Sequence, residues 1–331
     1  MYILYALFLF LGAVSVLPAQ EAPAPLSPQP AYIALVPNVN DFNLFADGGW
    51  DGNWYVGFDS CWIVKLPGVP TGNYSKAFIG ARLGRAKTRI KRNARSGERE
   101  HEIIPGKIYM AISSEPSFPS DKSFFLTTSK DIALEPLISE TMPGLGESRW
   151  FWTEVPLRLV NSDRPNYLAL WSNSDYFVSA SSSPIVAGTK PKEAKEASAW
   201  LNRSIHGVAP RGSAPTPGTP LIGLQPALAL KLVPRNSAVV TVGPLEITNL
   251  SGAIAARFSV RGENTELAWI ELSHDQFTWE RITPFLRHPP YIFTIPSRDL
   301  SRDGVYLRGA AKDSLENRGQ GPQSPAVAPP D

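Results

Sequence analysis

Short apolar runs, cut at brief intervals by turn residues, constrain this chain more than any other feature. Trp62-Ile63-Val64-Lys65-Leu66, Ile108-Tyr109-Met110-Ala111-Ile112, Phe124-Phe125-Leu126-Thr127 and Tyr167-Leu168-Ala169-Leu170-Trp171 are rich in aromatic or β-branched residues. Each is too short for a stable helix. Residues 54–58 and 177–179 read the same way. Pro67-Gly68, Gly72-Asn73, Pro105-Gly106 and Asn161-Ser162-Asp163 fall between the runs, and these are turn-forming residues. The series predicts antiparallel sheets packed face to face, as in a sandwich or jelly roll. A helix is suggested only over 190–201, and Pro191 keeps it short and weak.

Two segments look alike, Pro30-Ala31-Tyr32-Ile33-Ala34-Leu35-Val36-Pro37 and Pro226-Ala227-Leu228-Ala229-Leu230-Lys231-Leu232-Val233-Pro234. Both read as strands framed by prolines. They are expected to be the first and last strands of one unit, residues 31–235, and neighbours in one sheet. Inside it, 209–220 is dense in Pro, Gly and Ser and reads as a surface loop. With 331 residues, 43% of them hydrophobic, the chain has material for a large domain and a smaller companion.

That companion is expected over 238–319. Ile254, Ala256, Phe258 and Val260 alternate with small or polar residues, as in a half-buried strand. Trp269-Ile270-Glu271-Leu272-Ser273 then leads through His274-Asp275-Gln276 to Thr278-Trp279-Glu280-Arg281. Pro289-Pro290-Tyr291-Ile292-Phe293, Asp303-Gly304-Val305-Tyr306-Leu307-Arg308 and Ala311-Lys312-Asp313 with Asn317 follow. This succession resembles the bacterial immunoglobulin-like domains of secreted and surface proteins. It departs from their pattern at Gln276 and Glu316, where glycine is usual. The resemblance implies a sandwich without catalytic residues, used for spacing, display or adhesion. The expected fold class is therefore all-β: a large antiparallel sandwich or jelly roll followed by a smaller immunoglobulin-like β-sandwich.

Residues 3–17 are almost continuously apolar, and Pro18-Ala19-Gln20 follow. A run shorter than the roughly 20 residues of a spanning helix fits a signal peptide, 1–19, cleaved after Ala19. An uncleaved anchor is the alternative. A Pro-rich tether, 20–30, comes next, and 320–331 reads as a disordered tail. No later run is long enough to cross a bilayer as a helix. The expected location is secreted, periplasmic or cell-surface.

One cysteine and four histidines exclude an intrachain disulfide framework and any Cys-based zinc cluster. Nucleophile-elbow, zincin, Walker and dinucleotide-binding motifs are absent. No nucleic-acid motif is present either. Four groups of residues remain as candidates. Asp47, Asp51 and Asn53 lie among glycines and would suit Ca2+, though Asp-Gly and Gly-Asn are also ordinary turn pairs. Trp50, in that loop, and Trp54, Trp150 and Trp152 are candidate ligand-binding aromatics for stacking on sugar rings, with core packing as the rival. Arg85, Lys87, Arg89 and Lys91 continue the parity of Ala77, Ile79, Ala81 and Leu83. The strand must therefore leave the body or bulge near Gly84, which puts the charges in water. Cys61 reads as a small buried hydrophobe.

The expected function is a non-catalytic binding protein for a polysaccharide or acidic cell-envelope polymer, with a spacer domain. A structural or adhesive protein that meets other surface proteins is the alternative. A jelly-roll hydrolase with a converging carboxylate pair is the third.

Overall fold

The computed structural model describes residues 28–42, 54–84, 88–103, 106–128, 148–179, 182–190, 196–212, 218–262 and 265–330. The expectations for 1–19, for Trp50, for Arg85 and Lys87, and for calcium at Asp47, Asp51 and Asn53 lie outside these residues. Among the described residues every strand pairing is antiparallel and no α-helix is present.

Two sheets form the large sandwich. In the first, Ala31–Ile33 pairs with Leu228–Pro234, which pairs with Tyr74–Gly84; Ile185–Val186 and Ser148–Val155 also join Tyr74–Gly84. The look-alike segments are thus neighbours, with Ala31 opposite Leu232 and Ile33 opposite Leu230. The second sheet runs Thr219–Pro220, Ala199–Asn202, Cys61–Leu66, Asn166–Ser172, Ile108–Ser113, Ser123–Thr128. Ala199–Asn202 falls in the stretch where a helix was expected. Pairing with Cys61–Leu66 decides its state, because local propensity there is weak and the sheet offers a full set of backbone partners.

The inner faces meet in one core. Ala77, Ile79, Ala81 and Leu83 of the first sheet pack with Trp62, Val64, Leu66, Met110, Leu168 and Leu170 of the second. The outer faces are covered too. Cys61, Ile63, Ala111, Ala169 and Trp171 lie under Phe118 and Ile205, while Ala227, Ala229 and Trp150 lie under Val39 and Phe42. This double burial explains why Cys61 to Val64 shows no alternation, all four residues being buried. Cys61 is fully buried, and burial pushes its thiol pKa up. Residues 54–58 make isolated bridges, Tyr55 with Ile185 and Gly57 with Ser60, instead of the strand expected there.

Tyr74–Gly84 ends at Gly84, and Thr88–Arg92 pairs with Arg99–Ile103 in a separate two-stranded ribbon. Its register sets Arg89 opposite Glu102 and Lys91 opposite Glu100. The side chains of Arg89 and Lys91, and with them the expected exposure, lie outside the described ones.

Beyond residue 240 a second core begins. Glu246–Leu250, Ala253–Phe258 and Tyr291–Pro296 form one sheet; Glu280–Arg281, Thr265–Ser273, Tyr306–Asp313 and Arg318–Gln320 form another. Ile254, Ala256 and Phe293 of the first pack with Ala268, Ile270, Leu272 and Leu307 of the second. All buried members of this cluster lie between Val240 and Ala311, so a fragment of residues 238–330 is expected to unfold cooperatively in urea. A featureless, gradual loss of signal would show that it needs the first sandwich.

The fragment extends to 330 because the tail is built in, which corrects the expectation of disorder over 320–331. Gly321 N donates to Gly309 O, Ser324 N to Leu307 O, and Val327 N to Val305 O. Pro322 and Pro325 fall between these donors, where an edge segment needs no N–H.

Both departures from the immunoglobulin-like pattern carry a backbone signature. Gln276 has φ +66° and Glu316 has φ +60°, the left-handed region that favours glycine. Each turn holds a side chain at a left-handed position. Gln276→Gly is expected to raise unfolding stability by about 0.5–1 kcal/mol, measured by urea melts. A loss of stability would show that its side-chain bond from Gln323 Nε2, 3.0 Å, outweighs the backbone strain.

Candidate ligand-binding groove

The outer face of the first sheet turns from a covered core into an open groove where the second sandwich meets it. Strand Ser148–Val155 places Phe151 and Val155 in the main core. By alternation, Trp150 and Trp152 go to the outer face. The two indoles stack, centroids 4.8 Å apart and planes 15° from parallel. Trp150 meets Phe42 edge-on at 5.9 Å, and Trp152 is tilted against Tyr32 at 5.9 Å. Gly80 lies opposite Trp152 in the ladder, and a Cβ there would come within 2.3 Å of the ring. The glycine lets the indole lie flat on the sheet.

Neither face of this strand is an open platform, since Trp150 is 3% and Phe151 8% exposed. The expected exposed stacking surface at Trp150 is therefore corrected: residues 39–42 and Ala187 cover it. Trp152 and Arg149 are only half-buried. Trp54 is half-buried against the main core and is absent from the groove lining.

Lys231 lies opposite Phe78 on one side and Tyr32 on the other. Its Nζ sits 4.7 Å over the Trp152 ring and 5.1 Å over Phe78. Burial pulls its pKa down to about 8, against the opposing pull of Asp313 and Glu316. The second sandwich supplies the turn after Tyr306–Asp313. Asp313 Oδ1 accepts from Leu315 N at 2.9 Å and Asn317 N at 2.8 Å. Asn317 Nδ2 donates to Tyr32 Oη at 2.8 Å, and Asn317 Oδ1 accepts from Lys231 Nζ at 3.4 Å. These bonds tie the two sandwiches at the groove floor. Burial pushes the Asp313 carboxyl above its ordinary value and the Tyr32 phenol up to about 12.

The groove has a volume of about 710 Å³, with Trp150, Trp152, Arg149, Lys231, Ser237 and Arg318 in its lining. A second groove, about 880 Å³, adjoins it and shares Arg149, Glu316 and Arg318. Buried polar groups in folded proteins are nearly always hydrogen-bonded. Among the described residues six buried side-chain N or O atoms find no partner, and four of them belong to residues that line the first groove: Arg149 Nε, Trp150 Nε1, Trp152 Nε1 and Ser237 Oγ. Three of the four can only donate.

Sequence reading singled out Trp150 and Trp152 and missed Lys231, Arg149, Ser237 and Arg318. A lysine within an otherwise apolar strand was the one local signal, since an ammonium is rarely buried without a reason. Among the described residues no cluster of three His, Cys, Asp or Glu side chains is placed to hold a metal, and no helix is long and apolar enough to cross a membrane.

No protein-family model matches the chain, and no curated protein matches it. Solved structures that match include a β-1,2-glucanase from Parabacteroides distasonis, 12% identical with a TM-score of 0.25, covering 82% of this chain and 31% of that one. A Ruminococcus gnavus β-glucuronidase is 6% identical with a TM-score of 0.22, covering 82% and 36%. A Lactobacillus rhamnosus β-glucuronidase is 8% identical with a TM-score of 0.21, covering 82% and 35%. The chain spans about a third of the length of these structures, and likeness this low carries no argument.

Proposed function

We propose that this chain is a non-catalytic binding protein acting outside the cytoplasm, whose groove takes an oxygen-rich polymer such as a glycan. The reading rests on one observation: four residues of one groove wall each carry a buried polar atom without a partner. A buried donor left unsatisfied costs about 1–3 kcal/mol. Such a group meets an incoming acceptor once its side chain shifts to the groove surface, and sugar hydroxyls and ring oxygens are acceptors. Half-buried Trp152 adds an aromatic surface of the kind that packs on sugar rings. The carboxylates support the non-catalytic reading. Glu271, Glu316 and Glu266 line the second groove, and each is held by a cation: Glu271 by Arg308 at 2.7 Å, Glu316 by Lys312, and Glu266 by Arg287 at 3.8 Å. A general acid or base needs a carboxyl free to exchange its proton with substrate.

The test is calorimetric titration against a panel of neutral and acidic polysaccharides. Binding to at least one is expected, and Trp152→Ala should weaken it by about 1–3 kcal/mol. If the whole panel fails to bind, ordered water is the acceptor these donors use, and the proposal falls.

A further inference from the structure

We infer that the groove selects a polyanion: an acidic polysaccharide whose carboxylate or sulfate groups are received by Arg149, Arg281 and Arg318. The inference deepens the binding reading and rests on it, but a separate observation carries it. The whole chain is nearly neutral, with 32 Lys plus Arg against 30 Asp plus Glu. The lining of the second groove is not. It holds Arg82, Arg149, Arg281, Arg287, Lys312 and Arg318, against three glutamates already engaged by cations. Two of those glutamate partners are Lys312 and Arg287, and the Arg82 guanidinium donates to Phe42 O at 2.6 Å. Arg149, Arg281 and Arg318 are left with no carboxylate within ion-pair distance among the described residues.

Each of the three guanidinium groups is set against an aromatic ring. Arg149 lies 5.1 Å over Phe151, Arg281 4.2 Å over Phe285, and Arg318 5.7 Å over Trp269. Arg281 Nη1 donates to Thr283 O at 3.2 Å, and the remaining guanidinium N–H groups suit a carboxylate or sulfate, which can pair with them in bidentate fashion. Arg149 and Arg318 line both grooves. A chain lying along the two would meet them at the junction. Beside them lies half-buried Trp152, an aromatic surface that suits the sugar rings between the charges. Low dielectric at such a junction strengthens the attraction, and the part of it that reaches solvent is screened by salt.

The experiment uses the full chain and its Arg149→Gln/Arg318→Gln variant. The probes are polygalacturonate, alginate and heparin, the methyl-esterified or carboxyl-reduced forms of the first two, and single-stranded DNA. At least one acidic polysaccharide should bind tenfold or more tightly than its neutralised form. That advantage should shrink between 50 and 300 mM NaCl, the range that takes the Debye length from about 14 to about 6 Å. It should vanish in the double variant, whose affinities for the charged and neutralised forms should no longer differ. Equal binding of charged and neutralised forms removes the inference and leaves the groove reading standing. Tighter binding of DNA than of every polysaccharide assigns the arginines to nucleic acid and also overturns the inference. Failure of every probe overturns both readings.

Discussion

Trp150→Ala is expected to cost the fold about 3–5 kcal/mol, the range for removing a large buried aromatic. The ring is 3% exposed, stacks on Trp152 and meets Phe42 edge-on. It also belongs to the cluster that seats residues 39–42 on the sheet, so its loss opens that layer as well as leaving a cavity. The unpartnered indole N–H works the other way, because deleting it removes a buried donor. Trp150→Phe separates the two contributions. It keeps most of the ring contact and loses the N–H, so it should fall well short of the alanine loss. Urea melts of the wild type and both variants give the comparison. A loss below about 1 kcal/mol for Trp150→Ala, typical of surface sites, would show that the outer layer over this sheet does not form.

Lys231→Met should be the more stable protein at pH 7 and should lose that advantage as pH rises. Burial lowers the folded-state pKa of Lys231 to about 8 from 10.5. Between those values the unfolded chain holds a proton that the folded chain has released. Stability of the wild type therefore increases with pH through this window, and below pH 8 the full cost of the buried ammonium is present. A depression of that size corresponds to about 3 kcal/mol. Methionine fills similar space, bears no charge and packs well against Trp152 and Phe78. The contacts of the ammonium with those rings are lost, a smaller term of about 0.5–2 kcal/mol, together with its long 3.4 Å bond to Asn317 Oδ1. Cys61 and Tyr32, whose pKa values are both raised, lower stability as pH climbs past their unfolded values. They are common to both proteins, so the difference between the two stability profiles isolates Lys231. A constant difference from pH 7 to 10.5 would place the ammonium in water.

The comparison of sequence with structure is clearest residue by residue. Alternation at Ile254, Ala256 and Phe258 was legible because one face of that strand is buried and the other wet, and the observed burial follows it. The Pro-framed segments were legible as sheet partners because each is a strand bounded by residues that end strands. Exposure at Trp150 was not legible. Parity fixes which face of the sheet a side chain takes, and whether that face is covered depends on a segment about a hundred residues away in sequence. Disorder over 320–331 was inferred from proline content, yet prolines spaced between hydrogen-bonding positions leave an edge segment free to dock.

The sequence by itself determined the all-β class and the strand faces of the alternating segments. Those properties are local, set by period-two patterning. Only the tertiary structure decided that Arg149, Trp152, Ser237, Lys231 and Arg318 share one groove. They come from both sandwiches, and the groove forms where Tyr32 and Lys231 meet Asn317 across the junction. A site made by the meeting of two cores has no period along the chain. Its residues are polar and sparse, and their chemistry follows from which neighbours burial leaves them without.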